Sequence, residues 1–354
     1  MPAPRRDFAK IRVGLEDWLA GKLPAARELR VGELTGPGLT GFSSDTFLFQ
    51  ASWLEDGAAQ SRGLVARMPP SGMPVFPQYD IARQYRIQHA LAGTAVPLAG
   101  MLWLEEDPGV LGAPFYVMEQ IAGRTPSDSP TYHTSGWVAE LEPAEREAMW
   151  WSGLRALADV HGADWRGLGL GSLDVAGDPL EQHIAEYEHM LAWSNGKPQP
   201  NLESALRWVR AHRPPPDEPR VLCWGDSRLG NMIFQDSRCA AVLDWEMARI
   251  GSPEADLAWW IYMDRHHSEG AAMPRLAGLP GRSETVARYE EWTGHRVRHL
   301  EYYEVFAALR FAIIMIRVGQ QLEHYGFLPK DSGFEVNNSS TQLLARLLGL
   351  PAPG

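Results

Sequence analysis

Three oxygen-bearing side chains, Asp226, Asn231 and Asp244, stand at a spacing that phosphoryl-transfer chemistry can use. They lie in segment 221–246, VLCWGDSRLGNMIFQDSRCAAVLDWE. Asn231 follows Asp226 by five positions, and Asp244 follows Asn231 by thirteen. Phosphoryl transfer asks a protein for an oriented acceptor oxygen and for metal ions that neutralise phosphate charge. A carboxylate on a tight loop can accept the acceptor hydroxyl's hydrogen bond and hold it in line. Mg²⁺ takes hard oxygen ligands and keeps several waters, so one amide oxygen and one carboxylate make a sensible protein share of its shell. Asp226 fits the first role; Asn231 and Asp244 fit the second. The bland alternative makes Asp226 and Asn231 turn formers beside Gly225 and Gly230, and Asp244 a helix cap. A carboxylate, an amide at plus five, a hairpin and a second carboxylate together form a more demanding pattern than any one of those roles.

The hairpin is read from two short apolar runs, 232–234 and 240–243, around a turn at 235–238. Helical periodicity dominates the rest of the second part of the chain, at 143–161, 179–194, 201–212, 253–264, 283–293 and 298–323. The first part reads differently. An amphipathic helix at 7–20 precedes strand-like text at 46–54, a polar turn at 55–63, and a strand at 64–68 stopped by Pro69 and Pro70. A helix at 79–92 and strands at 101–104 and 115–118 follow. Residues 124–141, rich in Pro, Ser and Thr, read as a linker or flexible loop. The expected fold is α+β and bilobal: a small antiparallel-sheet lobe with one crossing helix, then a larger, mainly helical lobe. The expected divisions are a helical extension at 1–27, a nucleotide-binding lobe at 28–121 and a helical lobe at 122–354 carrying the catalytic loop and acceptor site.

Composition bounds the partners. The net charge of −11 argues against a nucleic-acid surface, which needs a basic face. Two cysteines, Cys223 and Cys239, offer no disulfide framework or zinc spacing, which suits a reducing cytoplasm. The start of the chain lacks a secretory pattern, and the apolar run at 306–318 is short and interrupted by Arg310 and Arg317, so no membrane span is expected. A cytoplasmic monomer or small homo-oligomer follows, acting on a small-molecule hydroxyl acceptor.

The segment Gly225-Asp226, four residues, Asn231, hairpin, Asp244 resembles the Brenner motif of the aminoglycoside phosphotransferase and choline kinase superfamily, which shares the protein-kinase fold. The resemblance implies a phosphotransferase using Mg²⁺ with ATP or GTP, with Asp226 as catalytic base and Asn231 and Asp244 as metal ligands. The family's usual His before Gly-Asp is Trp224 here, a position that supports the loop. Segment 251–260, GSPEADLAWW, is also similar, and Asp256 takes the place of an acidic residue that braces the catalytic loop from the following helix. In the small lobe, 36–41 spells G-x-G-x-x-G ahead of a strand, and 40–47, TGFSSDTF, resembles the family's phosphate-covering loop through Gly41, Ser43 and Thr46. Residues 66–70, ARMPP, resemble the Leu-Arg-x-Pro-Pro pattern of the acyl-CoA-dehydrogenase-associated branch. That makes Arg67 the phosphate clamp, since a guanidinium can hold phosphate oxygens through two hydrogen bonds. Gln84 stands where the family's crossing helix carries a Glu. Residues 115–123 look like the strand and hinge that meet the base, through Glu119 and Ile121.

A nucleotide-binding pseudokinase or adaptor is the alternative that Arg67 and Gln84 raise. An aminoglycoside-type acceptor is the alternative to a partly apolar one. The segment 298–325 carries Glu301, Glu304 and Glu323 but is mostly apolar and aromatic, which favours an apolar or acyl-bearing hydroxyl compound such as a hydroxyacyl-CoA. His161 reads as structural, His266 and His267 as solvated at a helix end, and the tryptophans chiefly as core, with Trp245 and Trp259 as candidates to border the acceptor pocket.

Overall fold

The structure is a computed structural model that describes residues 6–36, 44–216 and 219–354. Gly41 and Ser43 lie outside the described residues. The chain divides into two compact units, one of Met1–Ala92 with Ala99–Ala122 and one of Gly93–Leu98 with Gly123–Gly354.

The first unit holds α1 (Phe8–Lys22), β1 (Arg27–Val31), β2 (Asp45–Glu55), β3 (Ala58–Met68), α2 (Ile81–Leu91), β4 (Met101–Glu105), α3 (Pro108–Leu111) and β5 (Phe115–Glu119). The five strands form one antiparallel sheet in the order β1-β2-β3-β5-β4. Alternation along β2 decides which face is covered. Phe47, Phe49, Ala51 and Trp53 point to one face and meet Ile11, Leu15 and Leu19 of α1. Each of the Phe, Leu and Ile side chains among them contributes roughly 1.5–3 kcal/mol on burial. Val65, Tyr116 and Met118 point to the other face and meet Ile81 at the start of α2. The β2–β3 hairpin is tighter than the polar text at 55–63 suggests. Asp56 and Gly57 both take positive φ, 50° and 77°, so two residues close the turn and pairing resumes at once with Glu55 opposite Ala58. Strand β3 therefore begins six residues before the apolar run that marks it in the sequence.

The second unit contains α4 (Trp137–Glu140), α5 (Pro143–His161), α6 (Pro179–Ser194), α7 (Pro200–Ala211), β6 (Val221–Cys223), β7 (Met232–Gln235), β8 (Arg238–Val242), β9 (Arg249–Gly251), α8 (Pro253–Arg265), α9 (Arg282–Thr293), α10 (Leu300–His324) and α11 (Ser339–Leu348). Proline opens α5, α6, α7 and α8, where its missing N–H costs nothing and its fixed φ suits the first turn. Strands β7 and β8 form the expected hairpin, and β6 pairs with β9 to make a second small ribbon.

Two expectations give way here. Residues 124–141 are not a free linker: Tyr132 and His133 are buried, and both reach Oδ1 of Asp264, at 2.9 and 3.1 Å. His266 and His267 are not solvated, because α8 runs into a π-helical turn, His266–Gly270, that folds them inward, and His267 is buried. Helix α10 has the length and apolarity of a membrane span, and 72% of its apolar window is buried inside the fold. Its apolar residues pack against α6, α7, α8 and α11.

Candidate active site

Strand β6 delivers the chain into a loop, 224–231, that returns as β7. Gly225 makes the entry possible. Its φ is +94°, and a Cβ there would collide with the carbonyl of Met247. Asp256, in the first turn of α8, holds this entry from below: its Oδ2 accepts the Trp224 N–H at 2.6 Å and its Oδ1 the Gly225 N–H at 2.9 Å. The Ser227 hydroxyl donates to the Asp256 carbonyl at 2.7 Å. Asp256 is fully buried, so these bonds and His161, whose Nε2 lies 3.2 Å from Oδ2, are what satisfy its charge.

The Asp226 side chain is gripped on all sides. Trp259 Nε1 donates to Oδ1 at 2.8 Å, Asn231 Nδ2 to Oδ2 at 2.6 Å, and Arg228 Nε reaches both oxygens at 3.2 Å. With its amide nitrogen spent on Asp226, Asn231 can offer its side-chain oxygen Oδ1 as a ligand to a cation. Asn231 is tied in turn to the hairpin's far end, where the Leu243 N–H donates to the main-chain carbonyl of Asn231 at 2.8 Å. That bond brings the neighbour Asp244 beside Asn231. Asp244 has a φ of 59°, and no helix starts until Pro253, so it is not a helix cap. The Trp224 indole N–H donates to the carbonyls of Leu243 at 2.7 Å and Asp244 at 3.2 Å. Tryptophan in place of the family's histidine thus ties the loop to the segment bearing Asp244.

Several participants are absent from the sequence reading. The Arg228 guanidinium also binds Asp128, from the 124–141 segment, and His267 Nε2 lies 3.2 Å from the other Asp128 oxygen. Burial opposes charge on both partners. The carboxylates of Asp128 and Asp226 nevertheless raise the Arg228 pKa, and Arg228 and His267 hold the Asp128 carboxyl well below the usual carboxylate range. Burial pushes His266 down to about 3, with the His267 ring adding to the effect. Arg310 of α10, almost wholly buried, donates to the Gly225 carbonyl at 3.0 Å and lies over the Trp259 ring at 4.3 Å. Its interruption of an apolar run was the sequence's one hint of it. Trp245 is buried and donates to the Val242 carbonyl, whereas Trp259 sits against Asp226.

In the first unit, Thr46 and Arg67 face each other across β2 and β3, and Tyr116 of β5 flanks Arg67 on the other side. Arg67 and Gln84 are both buried. The Gln84 main-chain carbonyl accepts from Gln88 Nε2, which also reaches the Tyr116 hydroxyl, while the Gln84 side-chain oxygen has no hydrogen-bond partner among the described residues. Glu119 ends β5 with its N–H on the Gly100 carbonyl at 2.9 Å, and Ile121 lies two residues further on.

A five-stranded antiparallel unit, a helical unit, and a loop-and-hairpin bearing Asp, Asn and Asp define a phosphotransferase of bilobal, protein-kinase-like fold. The sequence model of the phosphotransferase enzyme family matches residues 38–297, and the chain belongs to that family. Acyl-CoA dehydrogenase family member 11 of Gallus gallus is 30% identical over 259 residues, which cover 72% of this chain and 31% of that protein. The chain therefore spans about a third of that relative's length. A solved Ralstonia eutropha protein, provisionally named an aminoglycoside phosphotransferase, is 26% identical with a TM-score of 0.70, over 95% of this chain and 96% of its own. The aminoglycoside phosphotransferase APH(4)-Ia, solved with ADP and hygromycin B, shares the fold at 18% identity and a TM-score of 0.58, over 94% of this chain and 98% of its own.

Proposed function

We propose that this phosphotransferase is a small-molecule kinase that moves the γ-phosphoryl group of ATP or GTP to a hydroxyl of a partly apolar acceptor. The observation that carries this reading is the direct bond from Asn231 to Asp226, with Asn231 tied through Leu243 to Asp244. The donor set, a free amide oxygen and carboxylates, suits a hard cation. Asn231 and Asp244 would hold Mg²⁺, which neutralises phosphate charge when bound.

The chain's own residues do the rest. Asp226 accepts the acceptor hydroxyl's hydrogen bond and takes its proton as the new P–O bond forms. Trp259, Asn231 and Arg228 hold its carboxylate in one orientation. The longest of its bonds, the 3.2 Å bifurcated contact to Arg228, is the one an acceptor hydroxyl most cheaply displaces. Thr46 and Arg67, together with Gly41 and Ser43, are proposed to meet the nucleotide phosphates, Gln84 to support Arg67, and Glu119 and Ile121 to meet the base.

The apolar residues of α10 are spent on the core of the second unit, so they say little about a ligand. Support comes instead from the aromatic wall beside Asp226. The Phe311 ring, partly exposed, lies 5.8 Å from Trp259 and 4.8 Å from His266. The acyl-CoA dehydrogenase names of the relatives favour a hydroxyacyl-CoA. A mass-spectrometric screen with Mg-ATP and Mg-GTP tests this. Hydroxyacyl-CoAs should gain a phosphoryl group; transfer to aminoglycosides alone, or to no acceptor, would overturn the acceptor assignment or the kinase reading respectively.

A further inference from the structure

Three unlike donors converge around Asp256. His161 at the end of α5, Cys223 at the end of β6 and Asp256 in α8 are all buried, with their ligand atoms within 4.8 Å of one another. They come from distant points of the sequence, which is why no metal-ligand spacing marks them. His161 is already oriented as a ligating imidazole would be: Nδ1 lies 2.6 Å from the Tyr289 hydroxyl, which turns Nε2 towards Asp256. The Cys223 thiol donates to the Ser252 carbonyl at 3.3 Å. A cavity of about 510 Å³ lies on the His161 side of the cluster, lined by Val221, Pro253, Tyr289 and His161 itself.

We propose that His161, Cys223 and Asp256 bind a thiophilic divalent cation of the zinc class, and that its binding switches phosphotransfer off. One nitrogen, one sulfur, one carboxylate oxygen and an open position for water make a tetrahedral set that zinc accepts. The thiolate makes Mg²⁺ a poor occupant. Bonds of about 2.0–2.3 Å place tetrahedral donors about 3.3–3.8 Å apart; His161 Nε2 and Asp256 Oδ2, 3.2 Å apart, already meet that spacing, and the Cys223 sulfur, within 4.8 Å of both, closes the set by drawing in. Asp256 is the joint. Its Oδ2, the oxygen that faces His161, also accepts the Trp224 N–H, so a cation bound there competes with that bond and the loop that carries Asp226 loses part of its brace. The balance is simple. The S–H bond of Cys223 breaks as sulfur binds the cation, and its proton leaves to solvent. The neutral His161 ring exchanges its proton from Nε2 to Nδ1, where it donates to the Tyr289 oxygen. One proton is released per cation and nothing is oxidised.

The test uses the full chain with excess Mg²⁺ and cobalt(II) as the probe. One cobalt per chain should bind with a thiolate-to-cobalt absorption that zinc bleaches, and zinc should lower turnover by about tenfold or more. Cys223→Ser should abolish the absorption and the zinc sensitivity while keeping turnover in the absence of zinc. Cys239→Ser should keep both responses. A cobalt complex without thiolate absorption in the wild-type chain would overturn the site, and that readout depends on neither a variant nor the acceptor. Undiminished zinc inhibition of Cys223→Ser would overturn the switch, because zinc would then act at the Asn231 and Asp244 pair.

Discussion

At the scale of single residues, the candidate site is a chain of charges in which each member is held by the next. Asp128 grips Arg228, Arg228 faces both oxygens of Asp226, and Asn231 and Trp259 complete the hold. Asp128 carries a pH consequence. Its folded carboxyl titrates below the usual range, so its stabilisation is fully present above the unfolded value of about 3.9 and is lost as pH falls through the lower, folded value. Asp128→Asn should therefore melt at a lower temperature at neutral pH and lose less stability than the wild type on acidification below about pH 4. Thermal melts across acid and neutral pH check this. Identical pH slopes for the two proteins would contradict it. Asp244→Ala belongs at the same scale: it should weaken Mg²⁺-dependent nucleotide binding, measured by calorimetry, and unchanged Mg²⁺ dependence would remove it as a ligand.

At the scale of elements, the hairpin and the turn into it set the geometry. Gly225 is the tightest point, with a φ of +94° and the Met247 carbonyl where a Cβ would go. Gly225→Ala should cost about 1–3 kcal/mol of stability and displace Asp226, lowering both the melting temperature and turnover. What the sequence reveals at this scale follows physical range. The run IFQDSRCAAV announces its own hairpin, because apolar strands and a polar turn are local features, and the Asp226, Asn231 and Asp244 spacing rides on it. The amphipathic α11 is also missed; strand β1 and the β6–β9 ribbon escape notice because each is short and is specified by its partners rather than by its own pattern. Asp128 and Arg310 escape for the same reason: they lie roughly a hundred residues before and eighty-five residues after the loop, and only the folded chain brings them to it. The polar stretch 55–63 is legible as a turn, but it hides the early start of β3, because an exposed hairpin tip can be filled with any polar residue.

At the scale of the whole molecule, the chain consists of a sheet unit and a helical unit and belongs to the phosphotransferase enzyme family. The helical unit is built around α10, whose apolar length serves the core, while Arg310 spends its charge within that core on the Gly225 carbonyl and the Trp259 face. Its burial explains how a long apolar helix can carry arginines. The central claim is that Asp226 handles the acceptor while Asn231 and Asp244 handle the metal. The most direct measurement compares Asp226→Ala with the wild-type chain in two assays on the same samples: Mg-nucleotide affinity by calorimetry and phosphoryl transfer to the acceptor by mass spectrometry. Transfer should fall by about 10²–10⁴-fold with nucleotide affinity nearly unchanged. Near-normal transfer, or a loss of nucleotide affinity that matches the loss of transfer, would contradict it.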